Sequence, residues 1–419
     1  MFQFISVDPI ALIVVLSLTI FIGYQFRNQP FRRDLLYLFL LLGCMGVVYY
    51  IRSSTTISVK TALTEAFQQT TLPKIKEPAD KPKLKTPKTN LVVQGSGAGL
   101  IAMAGALYAL KYNDFTKNVK KVAGVSSGSL LVYMIALGYT EEEIVRIVYH
   151  FNGVSLFDRN LWASLTGLWS NCGFYSNAPL RAMVRMLEEH KKMPENLTFK
   201  QLLEKRNIEL YVVAVNINKS KTTVFSAKET PDVPIRDAVC ASMAVPYFFQ
   251  PVHIKIDDKS DTDVYVDGAM GINFPLYLFV DELPKTIGFK ITDIYTKRDS
   301  ELYHPNHKVS NIANYSAALM LHNLFQLERL YLNLKGNFWD YVIGVPFDNS
   351  NALKFDISPD EKLQVMQKSF DEAIRQIQNE NRVGKFESLR LPPPIQGQLQ
   401  QMSAKARDVQ LSPIESLNP

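Results

Sequence analysis

The stretch from Val119 to Tyr139, VKKVAGVSSGSLLVYMIALGY, constrains the chain most, because a strand-like run passes through Gly-x-Ser-x-Gly straight into an apolar helical run. A strand-to-helix turn of this pattern is crowded and strained, which its glycines tolerate, and it projects the central side chain into the open. That centre is Ser126. The backbone N–H of Ser127 comes next and can point at a developing oxyanion, while Ser129 lies a turn into the helix. Of the three serines, Ser126 is therefore the candidate nucleophile, with an ordinary Gly/Ser turn as the competing reading.

The surrounding sequence repeats the same strand-then-helix alternation. NLVVQ (90–94) is a short β-branched run, and LIAMAGALYALKY (100–112) suits a helix packed closely on a sheet. Further on, TFKQLLEKR (198–206) and IRDAVCASMAV (235–245) read as helices, and ELYVVAVNI (209–217) and TTVFSA (222–227) as strands. Alternating units of this kind predict an α/β sheet with helices on both faces and ligand sites at the carboxyl ends of strands.

A serine nucleophile needs a base, and its oxyanion needs donors. Backbone donors are available in QGSGAG (94–99), where Gly95 and Gly97 let N–H groups approach a substrate ahead of a helix N-terminus. The third glycine falls one position early for a dinucleotide fingerprint, and no Gly-Lys-Ser/Thr follows, which excludes a P-loop. For the base, His304, His307 and His322 lie downstream in no distinctive setting. Asp267 stands out more. TDVYVDGAM (262–270) is an alternating strand that ends at Asp267, and Gly268 then turns the chain, delivering a carboxylate at a strand tip.

Outside this middle region the chain divides sharply. Residues 1–56 read as a membrane-anchoring region with uncharged spans at about 9–26 and 35–51. Each reaches ~26 Å of a ~30 Å hydrocarbon layer, so a membrane hairpin or two short transmembrane helices is expected. Asp8 and the lack of a basic residue before it argue against a cleavable signal peptide. Residues 57–89 read as a polar, Pro/Lys-rich linker, in which Pro73, Pro78, Pro82 and Pro87 oppose a helix and the lysines suit either anionic headgroups or plain solvation. Within 71–90, six lysines against two acids supply +4 of the chain's net +6, and the nearly neutral remainder argues against a nucleic-acid partner. Cys44, Cys172 and Cys240 are too scattered for a disulfide framework or a zinc knuckle. A domain at 90–346, a helical extension at 347–390 and a disordered tail at 391–419 complete the expected organisation.

Read in order, GSGAG with GAL (95–107), GVSSGSL, ALGYTEEE (136–143), GFYSNAPLR (173–181), LTFKQL (197–202), ASMAVPYFFQPV (241–252) and YVDGAMGINFP (265–275) resemble the patatin-like phospholipases over about residues 90–275. The resemblance implies a three-layer α/β/α sandwich with a central, mostly parallel sheet. It also implies a Ser-Asp dyad that hydrolyses acyl esters of phospholipids and related lipids through an acyl-enzyme, without histidine, metal or cofactor. Ser126 matches the family's nucleophile and Asp267 its dyad carboxylate. Gly95, Ser96, Gly97 and Ala98 match its oxyanion loop, which the N–H of Ser127 would complete. Two positions depart from the pattern: Ser96 replaces the loop's middle glycine, and Gly99 stands where the family usually carries Arg or Lys.

These readings predict a membrane-anchored lipid acyl hydrolase of the phospholipase A or lysophospholipase type. Its partners would be an acyl-ester lipid and the membrane. The alternative is a non-catalytic lipid-binding or membrane-scaffold protein that keeps the fold, while a histidine-dependent esterase is disfavoured. Leu161, Trp162, Leu165, Leu168, Trp169 and Phe174 are candidates for an acyl groove or for core, and 311–337 for a covering helix.

Overall fold

Five strands run parallel and set the frame, in the spatial order β10 (Val342–Pro346), β9 (Thr286–Thr292), β1 (Asn90–Val93), β2 (Lys121–Val125) and β4 (Glu209–Asn216). The computed structural model describes residues 58–157, 171–257, 260–292, 338–348, 351–383 and 386. The expected membrane spans, His304, His307, His322, Leu161, Trp162, Leu165, Leu168, Trp169, the 311–337 covering helix and the 391–419 tail lie outside those residues. Among the described residues, no helix is long and apolar enough to cross a membrane.

Strand alternation sorts the core into two faces. Leu91, Val93, Leu210, Val212, Ile287 and Phe289 turn to one side, where they meet the main helices. Those helices are α2 (Leu100–Tyr108), α3 (Ser127–Leu137), α4 (Glu141–His150), α5 (Ala178–His190), α6 (Phe199–Arg206), α7 (Ile235–Ser242) and α8 (Pro359–Val383). Val92, Ala123 and Val342 turn to the other side, against Phe274 from a loop and Phe279, Leu283 and Phe338 from 3₁₀ segments. Every residue of α3 is buried, so this helix has no polar face to display.

The sheet becomes mixed at β4, and the change of direction builds the site. The hairpin partner β5 (Lys221–Phe225) takes one edge of β4, antiparallel, over Val212–Asn216. On the opposite edge β2 pairs with Glu209–Val213, and β8 (Asp263–Asp267) then pairs with Ala214–Asn216 from the reverse direction. Strands β2 and β8 therefore meet end to end along one edge of β4. Val125 lies opposite Val213 and Asp267 opposite Ala214, so the residues that leave the two strands are neighbours. A short outer strand, β7 (Val252–Ile254), pairs antiparallel with β8, while β3 (Gly173–Tyr175) and β6 (Tyr247–Phe249) form a separate two-stranded ladder.

The stretch read as a linker is part of the body. Residues Val59–Gln68 form α1, capped by the Ser58 side chain on the N–H of Thr61. The helix buries Val59, Ala62, Leu63 and Ala66 against α4 and α5, and Phe67 stacks on His190 with ring centroids 4.1 Å apart. From residue 69 to 89 the chain has neither helix nor strand, as the prolines dictate, yet it is strapped down. The Lys76 N–H donates to Gln367 Oε1 at 2.7 Å, the Leu84 N–H to Asn113 Oδ1 at 2.7 Å, and Asn381 Nδ2 to the Lys83 carbonyl at 2.5 Å. Proline removes backbone donors but leaves the remaining groups free to pair with side chains of α8.

Docking of α1 yields the first prediction. Ala66 is fully buried, and Ala66→Glu would force a carboxylate into that interface. The urea midpoint should fall by the equivalent of ~2–4 kcal/mol, with faster proteolysis after residue 68. A midpoint equal to wild type would restore the reading of residues 57–89 as a free linker.

Candidate active site

Ser126 is the first residue past β2 and the N-cap of α3, with φ 52° and ψ −131°. Such a backbone costs a non-glycine residue ~1–3 kcal/mol and persists only where the surroundings hold it. Both of its peptide groups are held. The Ser126 N–H donates to Ser242 Oγ at 2.8 Å, and Ser242 Oγ donates to the Val213 carbonyl at 2.6 Å, at the point where β2 gives way to β8. The Ser126 carbonyl accepts from the Ser129 N–H at 2.9 Å and from Ser129 Oγ at 2.6 Å. The flanking glycines are required by close approach. A Cβ on Gly124 would meet the Gly128 carbonyl oxygen at 2.5 Å, and one on Gly128 the Val93 and Gln94 carbonyl oxygens at 2.6 Å.

This geometry brings Ser126 Oγ to 2.7 Å from Asp267 Oδ2, as donor to the carboxylate. The other carboxylate oxygen, Oδ1, accepts the Ala269 N–H at 2.8 Å. Asp267 is 2% exposed, and burial pushes its pKa up to about 7, opposed by the hydrogen bonds from Ser126 and Ala269. A carboxyl group so placed changes protonation near neutrality, where an exposed aspartate would be fully ionised.

The glycine-rich loop divides the expected donors by what already holds them. The Gly95 N–H donates to the Asn273 carbonyl at 3.2 Å, the Ser96 N–H to Ser127 Oγ at 3.1 Å, and the Ala98 N–H to the Ala352 carbonyl at 2.8 Å. Among the described residues no protein acceptor takes the N–H of Gly97 or Ser127, and both residues line the cavity beside Ser126. Of the five residues named as an oxyanion set, two therefore have donors to offer and three hold the loop in shape.

The two departures from the family pattern fit each other. Ser96 Oγ lies 3.3 Å from Ser127 Oγ, tying loop to elbow. A Cβ on Gly99 would meet Ser96 Cβ at 2.8 Å and a Phe347 ring carbon at 3.1 Å, so the Ser96 side chain fills the space that a larger residue 99 would need. Ser242 and Asn273 are functional candidates that the sequence reading did not single out. Asn273 grips Gly95 from both sides, its Nδ2 donating to the Gly95 carbonyl at 3.1 Å. Both residues fall inside quoted motifs, ASMAVP and GINFP, but nothing local assigns them a partner some 116 and 178 residues away.

Ser126 opens on an apolar cavity with about 1020 Å³ of empty space, part of it open to solvent. No histidine lines it among the described residues, and Phe174 is not part of its lining. Nor do the described residues contain a group of three His, Cys, Asp or Glu able to hold a metal ion.

Comparison with known proteins matches the family model described as patatin-like phospholipase to residues 91–280. An uncharacterized protein of Acanthamoeba polyphaga mimivirus is 31% identical over 233 residues, which is 55% of this chain and 74% of that relative. A probable lipid hydrolase of Invertebrate iridescent virus 6 is 29% identical over 191 residues, 44% of this chain and 61% of its own length. Among solved structures, VipD from Legionella pneumophila aligns over 76% of this chain and 73% of its own with a TM-score of 0.44 and 15% identity.

The environment of Asp267 sets a pH dependence of stability. The folded chain keeps this proton up to about pH 7, whereas an unfolded aspartate releases it near 4. Between those values unfolding releases a proton, so rising pH favours the unfolded state, with a slope of up to about 1.4 kcal/mol per pH unit from this one group. Urea titrations from pH 4 to 8 should show that component in the wild type and lose it in Asp267→Asn. Parallel pH dependences for the two proteins would mean that the carboxylate is already ionised in the fold.

Proposed function

The chain belongs to the patatin-like phospholipase family, and on that premise we propose that it is a membrane-anchored lipid acyl hydrolase working through Ser126 and Asp267. The observation that carries the reading is the 2.7 Å contact between Ser126 Oγ and a dehydrated Asp267 at a strained elbow that opens on an apolar cavity. The relative described as a probable lipid hydrolase supports the substrate class. Residues 1–56 would supply the anchor, and residues 90–346 with the helical extension the catalytic body.

In this mechanism Ser126 Oγ attacks the ester carbonyl as its proton passes to Asp267. The N–H groups of Gly97 and Ser127 stabilise the oxyanion, reinforced by the N-terminus of α3. Collapse of the tetrahedral species expels the alcohol or lysolipid, which takes the proton from Asp267 and leaves an acyl-Ser126. Water, deprotonated by Asp267, then attacks the acyl-enzyme, and the second tetrahedral species collapses to the fatty acid as Asp267 returns that proton to the departing Ser126 Oγ. A base near pKa 7 suits this work better than an ordinary aspartate, since it is a stronger proton acceptor and is still about half deprotonated at neutral pH.

The competing reading, a lipid-binding scaffold without turnover, draws on the cavity and on the Ser96 and Gly99 departures. The fit between those two residues weighs against it, because the loop backbone keeps its hydrogen bonds.

Fluorophosphonate labelling and ester hydrolysis separate the readings. Ser126→Ala should lose both, and Asp267→Asn should lower kcat/KM by at least about a hundredfold while still folding. For the wild type, kcat/KM should rise with pH through about 7, because the deprotonated carboxylate is the active form. Turnover in Asp267→Asn within tenfold of wild type, with Ser126 still required, would assign the base to another group. A wild type that neither labels nor hydrolyses any acyl ester would leave the scaffold reading standing.

A further inference from the structure

The cavity behind Ser126 has a direction. On α3 its lining falls at Ser127, Leu130 and Met134, one face of the helix, so it follows the helix for seven residues, or ~10 Å, away from the nucleophile. A zigzag chain advances ~1.2 Å per bond, about a third of the extended backbone rise, which makes that length equal to roughly eight bonds. Beyond Met134 the walls are Ile147 and Val148 of α4 with Met183 and Leu187 of α5. Leu63 of α1, with only 1% of its surface exposed, joins the lining beside them, because α1 packs on α4 and α5 and its Phe67 stacks on His190, whose neighbour Tyr139 donates to the Leu187 carbonyl. Leu353 is 53% exposed and lies at the nucleophile's end of the lining, since the carbonyl of its neighbour Ala352 accepts the Ala98 N–H of the glycine-rich loop.

Polarity gives a bound lipid one orientation. Among the described residues, Lys362 is the charged member of the lining, and its ammonium already donates to the carbonyls of Val148, Tyr149 and Phe151, at 3.4, 3.0 and 2.5 Å. It thereby caps the carboxyl end of α4 and leaves nothing for a headgroup. A polar headgroup stays at the exposed end, and an acyl tail points inward, toward α1.

We propose that α1 is the end wall of the acyl slot and that Leu63 sets the longest acyl chain the site takes. This inference rests on reading the cavity as the acyl site of a hydrolase. The helix α1 lies outside residues 91–280, the stretch that the family model matches. It is held by more than Leu63: the Ser58 cap fixes its start, and the stack of Phe67 on His190 fixes its last turn.

The test compares the full chain with Leu63→Trp and Leu63→Ala, using p-nitrophenyl esters of rising saturated chain length. In parallel, displacement of a fluorescent fatty acid by fatty acids of the same lengths is measured on each variant in a Ser126→Ala background. Leu63→Trp should shift the optimum to shorter chains in both assays, with about a fourfold loss for each methylene excluded. Leu63→Ala should shift it to longer ones. If Leu63→Trp fails to fold, the Leu63→Ala shift alone decides. An optimum that stays put, or a loss uniform across all lengths, overturns the proposal. A length shift in fatty-acid binding by a protein that hydrolyses none of the esters would keep the end wall and discard the hydrolase reading.

Discussion

Everything at the site depends on one edge of β4 being shared by two strands that approach from opposite ends. Where β2 stops and β8 stops, the edge of β4 has a break in its ladder, and a break in a buried sheet leaves backbone groups without partners. Ser242 closes it by accepting the Ser126 N–H and donating to the Val213 carbonyl. The same break lets the chain turn through a positive φ at Ser126 and brings Asp267 alongside. The strained elbow, its proton acceptor and its oxyanion donors are thus consequences of a single topological event rather than separate fittings.

Dryness links the dyad to the slot. The burial that raises the Asp267 pKa accompanies an apolar cavity lined by both Ser126 and Leu63, so in the proposed mechanism one desolvated interior would tune the base and receive the acyl chain. The loop between them is kept in register by backbone groups committed to Asn273, Ser127 and Ala352, which freezes the two N–H groups left over at Gly97 and Ser127. Donors fixed in advance need no reorganisation when charge develops, which is where most of their effect on a barrier arises.

Much of the frame was legible from local pattern. The run from Val119 to Tyr139 predicts a strand, a sharp turn and a helix, and β2, Ser126 and α3 follow in that order. Asp267 was legible as a carboxylate at the end of an alternating strand. What local pattern does not carry is which strand a strand lies beside. The Ser126–Asp267 contact made at the shared edge of β4, the Ser126–Ser242 hydrogen bond and the grip of Asn273 on Gly95 each join residues more than a hundred positions apart. The helix α1 is a different case, because its signal was present: Ser58 as a cap, then Val59, Ala62, Leu63 and Ala66 at helical spacing. The prolines from Pro73 onward dominated the composition of 57–89 and masked it.

The strap from 69 to 89 and the α8 helix hold each other through Lys76 with Gln367, Thr86 with Glu380 and Lys83 with Asn381. The strap is therefore fixed along α8, and α1 stands ahead of it in the line of the chain. A pull applied at residue 58 would load the α1 contacts first, stripping Leu63 and Phe67 from α4 and α5 while the strap still shields β1. Tension from the amino side would thus reach the cavity lining at Leu63 before it reached the sheet.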